Sequence, residues 1–234
     1  MARNILILGA TSGIARGIAQ AFAKKGDHLF LAGRDEAELD KLAQDLKIRF
    51  NIKPEIIKFD IENNTKIPDI HNLDGVVFAI GYMGNDVEKT LNINFNQAVI
   101  LLNYYADYFL NNNKKNGKRS FIIGISSVAG DRGRQSNYLY GSAKAGFSVY
   151  LAGLRNKLFK HHIKVITVKP GFVDTAMTFG LPGMFLVADP NKIGEKIANS
   201  VESRANVLYL PWFWKYIMLI IKSIPEFIFK RLSL

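Results

Sequence analysis

Tyr140 and Lys144 stand four residues apart in a segment, 140 to about 159, whose pattern predicts a helix. Residues at i and i+4 share a helix face, so a phenol and an ammonium project side by side. A cation within a few Å favours phenolate and lowers a tyrosine pKa from its ordinary value of about 10. Such a phenol can trade protons with an alcohol or ketone closer to neutral pH. Ser127 follows an apolar strand pattern at 121–125, where a sheet delivers side chains to a cleft. The same tyrosine–lysine spacing also fits a solvated pair on an ordinary helix, so the rest of the chain has to choose between the two.

The elements that would carry these side chains alternate. Residues 5–8 are a short, wholly apolar run, as expected of a strand buried on both faces of a parallel sheet. Gly9, Thr11, Ser12, Gly13 and Ile14 form the turn that follows, and a helical pattern runs from there to Lys25 and Gly26. A glycine-rich turn between strand and helix lets backbone amides approach a pyrophosphate, although the strict dinucleotide spacing is not matched. A plain tight turn remains the alternative. Further strands are predicted at 28–32, 55–59, 75–81, 119–126, 164–168 and 207–210, with helices at 35–50, 87–110, 140–159 and 190–203. Segments 63–72, 111–118 and 131–137 read as loops. The pattern predicts an α/β fold of Rossmann type: a doubly wound, mostly parallel seven-stranded sheet with helices on both faces. Residues 1–210 form the nucleotide-binding domain on this reading, and 211–234 an apolar helical tail.

The end of the second strand speaks to the cofactor. Arg34 beside the small Gly33 suits the 2′-phosphate of NADP(H). Asp35 could instead hold a ribose hydroxyl, as for NAD(H), but it also stands where a cap for the next helix belongs. NADP(H) is the preferred reading and NAD(H) is possible. Asp60, with Ile61, closes the third strand and could accept from an adenine amino group or serve the turn.

The 234 residues include no cysteine, which excludes disulfides and thiolate metal sites. No segment has the form of a signal peptide, so a cytoplasmic protein is expected. The net charge of +11 favours anionic partners without choosing among them. The lysines are scattered rather than interleaved with aromatics along one groove, which argues against nucleic acid. No carboxylate–histidine cluster has ligand spacing, so no metal is expected.

Taken together, Gly9-x-x-x-Gly13-x-Ala15, Ser127, Tyr140-x-x-x-Lys144 and Pro170-Gly171-Phe172-Val173-Asp174-Thr175 resemble the short-chain dehydrogenase/reductases, in order and at family-like spacing. The resemblance covers roughly residues 4–210. It implies Tyr140 as acid/base and Lys144 as its pKa-setting neighbour and ribose ligand. It also implies Ser127 as donor to the substrate oxygen, and Asn94 as holder of a relay water. Thr175 and the backbone near Pro170, Gly171 and Val173 would hold the carboxamide, with Gly81 lining the cofactor. The chain departs from the family at Phe78-Ala79-Ile80-Gly81, in the short stretch between Gly81 and Asn94, and at Ala15. A homodimer or homotetramer, paired through the helices holding Asn94 and Tyr140, follows from the same resemblance.

Residues 174–189 mix Met177, Phe179, Phe185 and Leu186 with glycine and proline, as suits a lid over an apolar ligand or ordinary packing onto the sheet. The tail, 211–234, carries Trp212, Trp214, Tyr216 and a run of isoleucines and leucines, interrupted by Lys215, Lys222 and Pro225. It is too interrupted for a confident membrane span. It suits a helix lying in a membrane interface, at the inner face of the membrane, or packing against its own domain or a twin subunit. Pro211 fits the first position of that helix. This tail and the short stretch between Gly81 and Asn94 together loosely resemble the branch that includes reductases of polyprenyl-phosphate-linked keto-sugars. The expected activity is hydride transfer between NADP(H) and a small-molecule or lipid-linked carbonyl. A silent NAD(P)-binding sensor or scaffold at the membrane surface is the alternative.

Overall fold

The computed structural model describes residues 2–63, 66–112, 120–180 and 185–233. Seven strands form one sheet: β1 (Asn4–Leu8), β2 (His28–Gly33), β3 (Glu55–Lys58), β4 (Gly75–Phe78), β5 (Phe121–Ile125), β6 (Lys164–Pro170) and β7 (Val207–Leu210). They lie in the order β3-β2-β1-β4-β5-β6-β7, and every pairing is parallel. Period-two alternation divides each central strand between two cores. Ile5 and Ile7 face α1 (Gly13–Lys24), α2 (Glu36–Phe50) and α6 (Pro190–Ser200). Leu6 and Leu8 face α4 (Gln97–Asn112) and α5 (Tyr138–Leu158), which cover the other side. This is the expected Rossmann-type architecture.

Capping fixes where the helices start. Ser12 accepts a hydrogen bond from the Ala15 amide at the head of α1, and Asp35 accepts from Glu38 at the head of α2. Several boundaries differ from expectation. β4 stops at Phe78, although Ala79 N still donates to Leu8 O at 2.9 Å, and residues 79–81 line the cavity at the strand ends. The expected helix at 87–110 is α3 (Val87–Leu91), then a π-turn over Asn92–Asn96, then α4. Asn94 explains the interruption. Its fully buried side chain donates to Thr90 O at 2.9 Å and to Tyr82 O at 2.7 Å, and accepts from Tyr82 N at 3.2 Å. The amide thus takes the i−4 carbonyl that a regular α-helical turn would use. Arg119, expected at the head of β5, lies outside the described residues, as does most of the loop expected at 111–118 and the Leu181–Met184 part of the expected lid.

The tail forms α7 (Trp214–Ser223) and α8 (Glu226–Phe229). Pro211 is not at the first helical position. It precedes the helix, and its carbonyl accepts from Trp214 N at 3.2 Å. Trp214 and Met218 bury one face of α7 against Val128. The opposite face leaves Trp212, Tyr216, Leu219 and Ile220 more than half exposed. No described helix is long and apolar enough to cross a membrane.

Helices α1 and α6 touch backbone to backbone, at Gly17 and Gly194. A Cβ on Gly194 would lie 2.2 Å from Gly17 C. Gly194→Ala should therefore cost about 1–3 kcal/mol in urea titration, the usual range for overpacking. Gly133→Ala, where a Cβ would meet no atom within 4 Å, should stay within about 0.5 kcal/mol of the parent.

Candidate active site

The carboxyl ends of β1, β4, β5 and β6 meet around a cavity of about 380 Å³. Thr11, Ser12, Gly13 and Ile14 line it on one side, Ala79, Ile80 and Gly81 on a second. Ser127, Tyr140 and Lys144 form a third, and Pro170, Gly171, Val173 and Thr175 a fourth. A neighbouring cavity of about 250 Å³ is lined by Gly9, Gly33, Arg34, Ile61 and Glu62. The two share Ser12, Ala79, Ile80, Gly81 and Met177, so they are two ends of one groove over the glycine turn.

The turn is built for close approach. Gly9 has φ +80°, a conformation that side chains resist. A Cβ on Gly13 would press on Thr175 Cγ2 at 2.9 Å. The N-terminus of α1 has no acidic residue in its first turn, which keeps its exposed amides electropositive. Arg16 ties the turn down, donating from Nε to Thr11 O at 3.0 Å and pairing with Glu38. These features fit a dinucleotide, with its pyrophosphate at the helix N-terminus.

Two expected ligands behave differently from the rest. Asp60 is not among the lining residues. Its carboxylate turns back to accept from Glu62 N at 3.0 Å and Asn63 Nδ2 at 2.7 Å, so it serves the turn, while Ile61 lines the groove. Asn94 also lies outside the lining, and both hydrogens of its amide are engaged by Tyr82 O and Thr90 O. Its Oδ1 and Lys144 Nζ nevertheless both border Gly81. A Cβ on Gly81 would be 3.4 Å from the first and 3.6 Å from the second.

Comparison with known proteins agrees with this geometry. Residues 3–182 match the short chain dehydrogenase family. This chain belongs to that family. It is accordingly an NAD(P)-dependent oxidoreductase. An uncharacterized oxidoreductase of Mycobacterium tuberculosis is 25% identical over 243 residues, covering 99% of this chain and 97% of the relative. A 3-oxoacyl-[acyl-carrier-protein] reductase of Rickettsia bellii is 32% identical over 181 residues, covering 75% of each. Among solved structures, a short-chain dehydrogenase of Burkholderia cenocepacia in complex with NADP superposes with a TM-score of 0.80 at 16% identity, over 100% of this chain and 98% of the other. One from Sphingobium yanoikuyae in complex with NADPH gives 0.78 at 21%, over 96% and 97%.

In this short-chain dehydrogenase the electrostatics of the tyrosine–lysine pair differ from the expectation drawn from spacing. Burial pushes Tyr140 up to about 12, opposed by a hydrogen bond from Ser127 that favours phenolate. Burial also pushes Lys144 down to about 7. Lys144 Nζ lies 5.6 Å from the Tyr140 ring centre and donates to Ile125 O at 3.1 Å. Desolvation penalises both charged forms and is the largest cause of each shift. Spacing gave the right neighbours; the sign of the shift depends on burial, which spacing does not report.

Among the lining residues that escaped the sequence reading, three are polar and stand out. Thr178 Oγ donates to Val173 O at 2.5 Å and bonds Thr175 Oγ at 3.2 Å, fixing the segment after β6. Arg134 and Asn137 come from the loop between Ser127 and Tyr140. A signal for these two was present, since a loop joining two residues of one site must pass over it.

Lys144 loses its proton near pH 7 in the folded chain and near 10.5 once unfolded. Between those values the unfolded chain binds more protons, so stability should rise with pH across that window. Lys144→Met should flatten that rise. Urea titrations of both proteins, without added nucleotide, at several pH values in the window check this.

Proposed function

We propose that this dehydrogenase reduces, or in reverse forms, a carbonyl group on an apolar or lipid-linked substrate, with NADP(H) as cofactor and Tyr140 as acid/base. The observation that carries the proposal is the sharing of one cavity by Ser127, Tyr140, Lys144 and the glycine turn. The bound nicotinamide would supply or accept the hydride. Ser127 and Tyr140 would donate hydrogen bonds to the substrate oxygen, where negative charge builds as a carbonyl is reduced. Tyr140 would then give up its proton to that oxygen. Lys144, protonated, would stabilise the phenolate left behind and hold ribose hydroxyls.

Arg34 supports NADP(H). Its guanidinium is exposed at the far end of the groove, loosely paired with Glu62 at 3.5 Å, while Asp35 is committed to capping α2. The Burkholderia and Sphingobium relatives carry NADP and NADPH, which agrees. Asn94 would act in the site by bracing residue 82 and thereby the Gly81 wall. Pro170, Gly171, Val173 and Thr175 would hold the carboxamide.

The apolar substrate and membrane contact rest on the tail. The exposed face of α7 and α8 presents Trp212, Leu219, Ile220 and Phe227, flanked by exposed Lys215, Lys222 and Lys230. Aromatic and aliphatic groups beside lysines suit an anionic bilayer surface. Phe185 packs on Trp214 with ring centres 5.4 Å apart and on the groove-lining Phe172 at 5.8 Å, which brings the tail's inner face next to the groove. Pairing into a homodimer or homotetramer would use the outer faces of α4 and α5, where Ile100 and Val149 are exposed.

Tyr140→Phe should keep NADPH affinity within about two-fold and lose roughly 10²–10⁴ of turnover, the usual worth of a positioned acid. Thermal shift with NADPH against NADH, followed by stopped-time assays on a ketone panel, measures both; a variant with near-parental turnover overturns the tyrosine assignment. Replacing Leu219, Ile220 and Phe227 together by glutamine should abolish sedimentation with phosphatidylglycerol vesicles and leave the melting temperature nearly unchanged. Equal sedimentation of parent and variant removes the membrane reading.

A further inference from the structure

The charges on the loop between Ser127 and Tyr140 are matched, with one exception. Asp131 is held by Lys169 and by Tyr209 Oη at 2.7 Å. Arg132 donates to the carbonyls of Ile221, Lys222 and Ile224 and pairs with Glu226 at 2.9 Å. Arg134 lines the active-site cavity, and its Nε is buried with no hydrogen-bond partner. Among the described residues no carboxylate pairs with it. Burial lowers its pKa with no acidic neighbour to offset the effect. Beside it, Asn137 Oδ1 is also a buried acceptor without a donor.

A partly desolvated guanidinium is costly unless something neutralises it. Its planar fork matches the paired oxygens of a phosphoryl or carboxylate group. The cofactor's pyrophosphate is already provided for by the amides of the glycine turn, and its 2′-phosphate end by Arg34 in the other half of the groove. Arg134 lines only the half that holds Ser127 and Tyr140. We propose that Arg134 is a specificity residue that binds an oxyanion, of the phosphoryl class, carried by the carbonyl substrate, with Asn137 accepting from a neighbouring hydroxyl. The inference rests on the reductase reading above and narrows its substrate to an anionic one. The walls of the cavity are otherwise mostly apolar side chains and backbone, so the anion enters as one charged point on a ligand held largely by packing.

The test titrates two phosphates, each against its neutral counterpart, into NADPH-saturated protein by calorimetry: octyl phosphate against octanol, and ribulose 5-phosphate against ribulose. At least one phosphate should bind about ten-fold or more tighter than its counterpart. Arg134→Met should remove that advantage, leave the neutral ligand and NADPH within about two-fold, and melt no lower than the parent, because a buried unpaired charge has been removed. Arg134→Lys should keep part of the advantage, as a point charge without the fork. Preference for the octyl compound identifies a lipid-borne phosphate and preference for the sugar a soluble one. Phosphate binding indifferent to Arg134, or a loss of NADPH affinity matching the loss of phosphate, overturns the inference. A protein that reduces ketones through Tyr140 but ignores the phosphates keeps its reductase reading and loses this one. A protein that binds phosphate through Arg134 yet reduces nothing does the reverse.

Discussion

The seam between β5 and α5 sets the positions of Ser127, Tyr140 and Lys144. Ser126 Oγ donates to Lys144 O at 3.0 Å and meets Ser148 Oγ at 2.7 Å, tying the strand's last turn to the helix one turn at a time. Lys144 then reaches back across the seam, and its ammonium donates to Ile125 O. Gly130 and Gly141 let loop and helix close to backbone contact. A Cβ on the first would lie 2.7 Å from Ala145 N, and on the second 2.8 Å from Ala129 O. With the helix unable to slide or rotate, Ser127 on the loop and Tyr140 on the helix face one another. Preorganisation of this kind lets hydrogen-bond donors act without paying reorganisation at the moment of reaction.

The tail belongs to the same mechanical unit. Arg132 caps the open carbonyls at the C-terminus of α7, where a cation is favoured. Its guanidinium also lies 3.8 Å from the centre of the Phe229 ring. Trp214 occupies the space above Gly171, where even a Cβ would come within 1.9 Å of the indole nitrogen. The tail thus buttresses both the loop after β5 and the segment after β6. Packing on its own domain and offering an outer apolar face are not rival roles for it, because α7 has two faces and the domain uses one.

The legible parts of the chain were those governed by local pattern. Apolar runs gave the strands, and Ser12 and Asp35 announced their helices by capping chemistry. Spacing put Tyr140 and Lys144 on one face. The illegible parts depended on what the fold removes from water. The tyrosine and lysine shifts follow burial, so a helical-wheel argument got the pairing and missed the direction. The asparagines at 92, 94 and 96 were visibly odd in a helix, but the π-turn that accounts for them depends on Tyr82, a partner twelve residues upstream of Asn94. Asp60 could be read as ligand or turn residue from its position alone, and only its bonds to Glu62 and Asn63 separate the two. Pro211 satisfied a local rule for helix starts, yet the helix begins where Trp214 finds its pocket, a tertiary decision.

The placement of charge along the groove has a chemical logic. At its centre, burial lowers the Lys144 pKa to about 7 and keeps Tyr140 protonated, so the pair carries less standing charge than it would in water. Arg34 stands at one end and Arg134 within the other half. On the proposed reading, anions bound near those arginines would anchor both reactants through groups remote from the reacting atoms. Binding energy collected at a distance can be used to hold two reactants in line and to exclude water between them. In the drier centre, the hydrogen bonds of Ser127 and Tyr140 to a developing oxyanion gain strength from the low local dielectric.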